Sequence, residues 1–345
     1  MNPAGLVPLV EVLRGGLVES LHLGAVAVAA PDGEILHAAG DPGVPVVLRS
    51  AAKPFQAASV VASGAAEARG MTAEELAVAA GSHGGRPEQV RVVRRLLERA
   101  DLDEGALRCG RATPLDRDAR LLARASGGPE PVQHPCSGKH AAMLLACRHL
   151  GLDEGTYPAP DHPWQRRVHE DLARWAGLPP GQVAAVPDGC GVPSFVLPLA
   201  AAARALARLA TGEDPALAAV FRAVTAHPAL HAGPGRLGTA LMELRPGMVL
   251  AKSGTEGVYA LAIAPPVGPL GAVLKVADGN DRRARPAAAI ALARGTLALT
   301  PGETARLVRD HVPRPVTTTG RPAGDVRPRE GAFPRPAGPV PEEEP

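Results

Sequence analysis

The stretch at residues 47–60, "VVLRSAAKPFQAAS", marks the place where one sequence pattern gives way to another. Before it, residues 6–49 alternate apolar and polar positions and contain a "PDG" turn, which predicts three antiparallel strands with a hairpin between the second and third. From residue 52 to about residue 222, apolar residues recur at helical spacing. Thr72 and Glu75 form a predicted capping box at the start of one of these helices.

Strand patterns return near the end of the chain, in "GMVLAKSG", "GVYALAIAP" and "LGAVLKVADG", and the helical run "RARPAAAIALARGTLAL" follows them. We therefore predict an α/β fold in which a large helical region interrupts an antiparallel sheet. A single domain is expected to have strands at 6–49, mainly helices at 50–230, and strands and a helix at 231–328. The Pro-rich residues 329–345 are predicted to form a disordered tail.

Composition argues against several classes of protein. The 345 residues are 46% apolar but only 2% aromatic, and 37 basic and 35 acidic residues are mixed along the chain. The sequence has no basic stripe and few aromatic residues that could stack on bases, so we do not expect binding to nucleic acid. No window has 18 uncharged apolar residues, and the N-terminus lacks a basic leader before an apolar run, so we expect a cytoplasmic protein that does not enter membranes.

The lysines are the most informative residue type. Only four of the 37 basic residues are lysine, namely Lys53, Lys139, Lys252 and Lys275. Arginine cannot lose its proton in a protein, whereas a buried lysine can become a neutral base or a metal ligand. Lysines kept in such an arginine-rich chain therefore indicate positions where a neutral amine is needed.

Two of these lysines have a serine as a candidate partner. Ser50 lies three residues before Lys53, so in a helix the amine could take the hydroxyl proton, although Ser50 could equally cap the helix that follows. Ser82 lies in "GSHGG" between predicted helices, and Lys252 lies in "AKSG" on a late strand. The order S-x-x-K, serine turn, K-S-G is that of serine β-lactamases and penicillin-binding proteins.

The third lysine lies beside a cysteine. Lys139 occurs in "HPCSGKHAAML" with Cys136, and Cys190 occurs in the Gly-rich "PDGCGVP". The two cysteines lie 54 residues apart and lack the C-x-x-C spacing of a structural zinc site. Spacing alone therefore favours two buried thiols over metal ligands.

Seven segments, in order, resemble the L-asparaginase II family, the thermolabile rhizobial type of asparaginase, from about residue 7 to residue 328. They are "LRSAAKPFQA", "GSHGGRPEQV", "HPCSGKHAAMLLAC", "PDGCGVPSFVLPL", "HAGPGRLGTALM", "AKSGTEGVYALAI" and "LKVADGNDRRARPAAAIAL". The resemblance implies hydrolysis of L-asparagine to L-aspartate and ammonia, a fold similar to that of serine β-lactamases, and a homodimer.

The resemblance also implies two catalytic pairs facing one pocket, Ser50 with Lys53 and Ser82 with Lys252. The β-lactamase pattern favours Ser50 as the nucleophile with Ser82 moving protons, but the two roles could be reversed. The runner-up functions are a glutaminase or a β-lactam hydrolase on the same scaffold. A catalytically inactive zinc-binding protein is a further alternative, although the intact serines and lysines argue against it.

The remaining implied residues bind metal or substrate. Cys136, Lys139 and Cys190 match the zinc ligands of the family, and we expect a bound zinc ion to orient the substrate instead of activating water. Asp188 matches the residue that contacts the substrate's α-amino group. Arg49 would orient the nucleophile or the substrate carboxylate. Arg236, in "GPGRLG", could bind a carboxylate or hold its own loop.

Overall fold

A seven-stranded antiparallel sheet forms the centre of the computed structural model, which describes residues 3–264 and 268–336. Its strand order is β10-β1-β2-β9-β8-β7, and β3 pairs with the end of β2. The strands are β1 (Val7–Arg14), β2 (Leu17–Ala29), β3 (Ile35–Ala39), β7 (Val249–Ser253), β8 (Val258–Ile263), β9 (Leu270–Val276) and β10 (Val326–Pro328). The predicted fold class is confirmed, because the helical region separates β3 from β7 in sequence.

Thirteen α-helices occur in the described residues, and most lie in that central region. They are α1 (Lys53–Ala62), α2 (Ala65–Ala68), α3 (Ala73–Ala79), α4 (Pro87–Arg99), α5 (Arg117–Ala125), α6 (Ser137–Leu150), α7 (Pro163–Ala176), α8 (Leu199–Leu209), α9 (Pro215–Ala226), α10 (Pro228–His231), α11 (Leu237–Leu244), α12 (Ala284–Leu297) and α13 (Pro301–His311). The capping box of Thr72 and Glu75 is present at the start of α3. None of the helices in 3–264 and 268–336 combines the length and the apolar character needed to cross a bilayer.

A second, three-stranded sheet lies within the helical region. It consists of β4 (Pro45–Val47), β6 (Pro193–Pro198) and β5 (Ala184–Pro187), with β6 in the middle. Residues 193–198 lie within the region predicted at helical spacing, and for these six residues the prediction is wrong. The reason is that "PSFVLP" is a short apolar run between two prolines, and Pro198 sits at the N-cap position of α8, which begins at Leu199.

Helices cover both faces of the main sheet. Every residue of β8 is buried, and both α8 and α12 pack against β8 and β9. The approach of α8 is close enough to require a glycine, because a Cβ atom at Gly271 would lie 1.9 Å from the carbonyl oxygen of Ala203. Small side chains thus allow the helix to sit directly on the strand, as expected for an Ala-rich core.

The folded part of the chain continues past the predicted boundary at residue 328. The Arg329 N–H donates to the Leu9 carbonyl at 2.8 Å, and Phe333 is buried. Arg329 therefore pairs with β1, while the Ala332 carbonyl lies 3.3 Å from the His37 ring of β3 and Pro334 approaches Gly295 of α12. The rest of the predicted tail, residues 337–345, lies outside the described residues.

Candidate active site

The candidate site lies where the helical region meets the edge strand β7. Ser82 follows the end of α3, Lys53 is the first residue of α1, and Lys252 lies on β7. The Ser82 hydroxyl is 2.9 Å from the Lys53 amine and 2.9 Å from the Lys252 amine. The structure therefore brings both lysines to one hydroxyl.

Each lysine is fixed by a second contact. Lys53 also donates to the carbonyl of Pro135 at 3.0 Å, and Lys252 donates to the carbonyl of Ser253 at 2.7 Å. Both side chains are almost completely buried, with 0% and 2% of the residue exposed. Neither amine can turn towards solvent without leaving a carbonyl acceptor inside the protein.

The Ser82 loop is held by backbone contacts. Ser82 N–H donates to the carbonyl of His231 at 3.0 Å, and a Cβ atom at Gly81 would lie 2.3 Å from the same oxygen. Gly84 N–H donates to the Gln89 side chain at 2.8 Å. The close approach at Gly81 therefore requires a glycine, and the backbone hydrogen bond to His231 fixes the position of Ser82.

Burial gives Lys252 the character of a base. Desolvation lowers the pKa of Lys252 far below its ordinary value, and the positive charge of Lys53 lowers it further. A neutral amine at 2.9 Å can accept the Ser82 proton. The arrangement contains the hydrogen-bonded serine and base that nucleophilic catalysis requires.

Ser50 is placed differently from the sequence expectation. It belongs to a short 3₁₀ helix, Arg49–Ala52, and does not cap α1. Its hydroxyl lines the same cavity as Ser82 but has no hydrogen-bond partner within 3–264 and 268–336. The amine of Lys53, expected to contact Ser50, bonds to Ser82 because α1 directs the side chain across to the α3 loop.

Arg49 and Asp188 form an ion pair beside Ser50. Arg49 Nε donates to Asp188 Oδ1 at 2.7 Å, and Arg49 N–H donates to Ser194 Oγ at 2.9 Å. Arg49 has a φ of 51°, a conformation that costs free energy for a residue with a Cβ atom. Backbone strain is therefore stored next to the cavity, where a functional constraint is a common cause.

Cys136, Lys139 and Cys190 also come together, although they arise from different loops. The Lys139 amine donates to Cys190 Sγ at 3.1 Å, and Cys136 and Cys190 line the same cavity. Hydrogen bonding by the Cys190 thiol, followed by the charges of Lys53 and Lys139, lowers the pKa of Cys136 far below its usual value. In the described part of the chain, no three His, Cys, Asp or Glu side chains form a metal-binding group, and the third member here is a lysine.

Two buried histidines near this cluster are unsuited to act as bases. Burial first, and then the charge of Lys53, lowers the pKa of His83 to about 3. His83 Nε2 bonds to Ser137 Oγ at 2.8 Å, while His140 Nδ1 bonds to the Tyr157 hydroxyl at 2.6 Å. Both rings therefore act as packed, hydrogen-bonding groups.

One cavity of about 410 Å³ connects these features. It is lined by both serines, by the Arg49–Asp188 pair and by the two cysteines. The cavity is also lined by three residues from the later part of the chain, Arg236, Thr255 and Arg285. All the predicted catalytic, substrate-binding and metal-binding residues thus lie in or directly behind one cavity.

Comparison of the sequence with known families matches residues 10–328 to L-asparaginase II. The chain belongs to the L-asparaginase II family. It is therefore a member of a family of amide hydrolases with small-molecule substrates. None of the curated proteins with which the sequence was compared matches it.

Solved structures with a similar arrangement have low sequence identity. The native form of Mglu is 15% identical with a TM-score of 0.44, and the alignment covers 80% of this chain and 65% of that one. Mglu in a glutamate form is 17% identical with a TM-score of 0.40, covering 83% and 60%. A β-lactamase from Mycobacterium bovis is 17% identical with a TM-score of 0.33, covering 84% and 95%. The chain spans less than two thirds of the length of these Mglu structures.

Sequence reasoning missed two residues of the cavity walls. Arg285 lies on α12 and donates to Asp281 at 2.6 Å and to the Gly254 carbonyl at 2.7 Å. Tyr259 lies on β8, opposite Ser253. The sequence carries one weak signal for Tyr259, which is that only two tyrosines occur in the whole chain.

Proposed function

We propose that this protein hydrolyses L-asparagine to L-aspartate and ammonia through a covalent seryl intermediate. The observation that carries the proposal is the Ser82 hydroxyl, held at 2.9 Å from each of two buried lysine amines. A serine with a neutral lysine base suits acyl transfer from an amide. Membership of the L-asparaginase II family selects a side-chain amide as the substrate class.

In the proposed reaction, neutral Lys252 accepts the Ser82 proton while Ser82 Oγ attacks the carboxamide carbon of the substrate. The tetrahedral intermediate collapses, the C–N bond breaks, and the Lys252 ammonium returns the proton to the leaving nitrogen, so ammonia departs. Water then attacks the β-aspartyl ester with Lys252 as base, which releases L-aspartate and restores the Ser82 hydroxyl. Lys53 donates to Ser82 Oγ and stabilises negative charge as it develops there.

This assignment reverses the roles favoured by the sequence pattern. Ser82 already has its base at hydrogen-bonding distance, whereas the Ser50 hydroxyl has no partner among the described residues. Labelling with a diazoketone analogue of asparagine, followed by peptide mass spectrometry, tests the choice. We expect the adduct on the Ser82 peptide. An adduct on the Ser50 peptide that persists in Ser82→Ala would restore Ser50 as the nucleophile.

The reaction itself is tested by a substrate panel. Ammonia release is measured with L-asparagine and L-glutamine, and ring opening with a β-lactam. We expect L-asparagine to have the largest kcat/KM. Comparable or higher kcat/KM with L-glutamine or with the β-lactam would replace the asparaginase proposal with one of those activities, and absence of all three would leave the inactive zinc-binding alternative.

Asp188 is the proposed partner of the substrate's ammonium group. Its side chain is mostly buried and lines the cavity, and its present partner is the Arg49 guanidinium at 2.7 Å. An ammonium group can share this carboxylate, because a carboxylate offers about four lone-pair sites. Arg49 would then keep Asp188 oriented instead of binding the substrate carboxylate.

Cys136, Lys139 and Cys190 are the proposed zinc ligands. Cys136 and Cys190 line one cavity, and the Lys139 amine lies 3.1 Å from Cys190 Sγ. The three groups supply the sulfur and nitrogen donors that zinc prefers. When bound, zinc would supply a Lewis acid that holds a substrate oxygen near the cavity wall. The trio lies on the same cavity as Ser50 and Ser82, so its rigidity also shapes the substrate site.

Metal content tests this part independently of turnover. We expect about one zinc per chain by mass spectrometry of the native enzyme, and little in Cys136→Ala or Cys190→Ala. Cys147→Ala is the matched control, because Cys147 is also buried and free but lies within α6 away from the trio. An equal zinc content in all three variants would contradict the assignment of Cys136 and Cys190 as zinc ligands.

A homodimer is proposed from exposed apolar side chains near the turn of the β1–β2 hairpin. Leu17, Val18 and Leu21 are 77%, 50% and 51% exposed, which is unusual for three neighbouring large apolar side chains. A second copy of the chain would cover them. Light scattering should give twice the mass of one chain, and the mass should fall in Leu17→Lys with Leu21→Lys.

A further inference from the structure

A second cavity of about 180 Å³ adjoins the first. The two cavities share Ser82, Arg236, Ser253, Asp281 and Arg285 in their walls. The smaller one is also lined by Lys252 and Tyr259. It is therefore a polar recess that opens from the proposed nucleophile and its base.

Arg236 has no acidic partner in this recess. Of the three arginines on the larger cavity, Arg49 pairs with Asp188 and Arg285 pairs with Asp281. No carboxylate within 3–264 and 268–336 forms an ion pair with Arg236, and its guanidinium makes no hydrogen bond there. A partly buried guanidinium without an acceptor is costly unless a ligand supplies the acceptor.

Tyr259 supplies a second polar group without a partner. The residue is 2% exposed, and within the described chain its hydroxyl has no hydrogen-bond partner. Burial raises the pKa of Tyr259, so the hydroxyl keeps its proton and can donate. A buried donor and a guanidinium facing one recess match an anionic group.

The loop before α11 holds Arg236 in this position. Gly233 has a φ of +103°, and a Cβ atom there would lie 3.2 Å from Arg236 Cδ. The Thr239 hydroxyl donates to the Gly233 carbonyl at 2.5 Å and ties the loop to α11. The loop therefore keeps room for the arginine stem while its head remains free of protein acceptors.

We propose that Arg236, assisted by the Tyr259 hydroxyl, binds the α-carboxylate of the substrate. This rests on the proposed function, in which the substrate carboxamide lies at Ser82. In asparagine the α-carboxylate carbon is three bonds from the carboxamide carbon, roughly 4 Å away. Arg236 lines both cavities together with Ser82, so one substrate molecule can reach both residues.

The proposal is tested with a substrate that lacks only the group in question. 3-Aminopropanamide keeps the carboxamide and the amine of asparagine but has no carboxylate. For Arg236→Gln we expect kcat/KM with L-asparagine to fall about 100-fold, mainly through KM, as for loss of one partner of a buried charge pair. With 3-aminopropanamide, at a pH above the acidic limb of both enzymes, kcat/KM or the inhibition constant should change by less than about 3-fold.

Three further variants control this experiment. Tyr259→Phe should show the same selectivity with a smaller loss, about 10-fold, because it removes a single donor. Arg236→Lys should recover part of the affinity for L-asparagine. Arg294→Gln, an exposed arginine on α12, should behave as wild type with both compounds. Equal losses with L-asparagine and 3-aminopropanamide in Arg236→Gln would overturn the carboxylate assignment.

A binding measurement separates this proposal from the proposed reaction. Calorimetry with L-aspartate should show about 100-fold weaker binding to Arg236→Gln than to wild type, even if no amide releases ammonia. Unchanged L-aspartate affinity would overturn the proposal. So would a result in which the variant loses only its binding of inorganic phosphate, because the recess would then hold a free anion and not the substrate.

Discussion

At the scale of single residues, three of the four lysines lie within one buried site. Lys53 and Lys252 contact Ser82, and Lys139 contacts Cys190. At each position a compact amine lies close to an oxygen or sulfur atom, and a planar guanidinium could not take its place. The scarcity of lysine in the sequence therefore has a chemical explanation at these three positions.

Replacing Lys252 by arginine keeps the positive charge but removes the ability to accept a proton. We expect ammonia release by Lys252→Arg to fall at least about 100-fold, the usual contribution of a general base. Lys53→Arg should also lose activity, because its amine positions Ser82. Lys275→Arg is the control, since Lys275 contacts the Glu256 carbonyl and neither serine, and it should keep activity within a few-fold. Full activity in Lys252→Arg would place the base elsewhere.

The lowered pKa of Lys252 also predicts the pH dependence. Protonated Lys252 cannot act as a base, so kcat/KM should decrease as the pH falls through the pKa of this residue. After desolvation, the charges of Lys53, Arg236 and Arg285 lower this pKa, while Cys136 raises it.

Because removal of a positive neighbour raises the pKa of Lys252, Arg236→Gln should move the acidic limb of the kcat/KM profile to higher pH. A complete pH–rate profile of wild type and variant measures this. A limb that stays in place, or moves to lower pH, contradicts Lys252 as the titrating base.

The sequence predicted the residue types of the site but not all of their partners. Spacing within "SAAK" suggested that Lys53 serves Ser50, whereas the fold turns Lys53 towards Ser82. Local spacing could not reveal this contact, because the orientation of α1 relative to the α3 loop depends on tertiary packing. Tyr259 could not be found from the sequence for the same reason, and the two alternatives for Arg236 stayed open, since an unpaired group is recognised only when its surroundings are known.

At the scale of elements, the contact between α8 and β9 depends on one missing side chain. A Cβ atom at Gly271 would lie 1.9 Å from the Ala203 carbonyl oxygen, so Gly271→Ala must push the helix away from the strand. We expect a loss of about 2 kcal/mol or more in the free energy of unfolding, as for overpacked cores. Urea unfolding measures it.

Gly181→Ala is the matched control for this experiment. Its added Cβ atom would meet no atom within 4 Å, and its backbone does not adopt a positive φ. Its free energy of unfolding should change by less than about 0.5 kcal/mol. Equal effects of the two substitutions would mean that α8 can move away from β9 without cost.

Helices and strands differ in how well the sequence predicted them. Long periodic segments such as α4 and α6 were predicted correctly, because several turns repeat the same signal. The strand β6 could not be separated from the helical region in the sequence, because six residues are too few to show a clear period. Its pairing with β4 spans α1 to α7 in the sequence and is not visible locally, whereas β5 precedes it by only a short loop.

At the scale of the whole molecule, buried neutral histidine predicts sensitivity to acid. Burial, and then the charge of Lys252, lowers the pKa of His231 to about 3. Between about pH 6.5 and pH 3 the unfolded chain binds a proton at this residue and the folded chain does not. The contribution of neutral His231 to the free energy of unfolding is therefore fully present above pH 6.5. It decreases as the pH falls, by about 3 kcal/mol over two pH units.

The contribution of His231 is isolated with His231→Gln, which keeps a polar side chain but does not titrate. Unfolding by urea at several pH values gives the free energy of each protein. As the pH falls below 6.5, the free energy of unfolding of wild type should decrease more than that of His231→Gln. A constant difference across that range would show that His231 is protonated equally in both states.

The order of strands in the main sheet also has a consequence for how the chain acquires its structure. Strand β2 is made early in synthesis, but its neighbour β9 follows only after the entire helical region. Until then, one edge of β2 presents unpaired backbone groups to the surrounding solution. Such distant pairing slows folding and exposes the nascent chain to aggregation. The emerging polypeptide should therefore depend on chaperones until the ribosome has passed Val276.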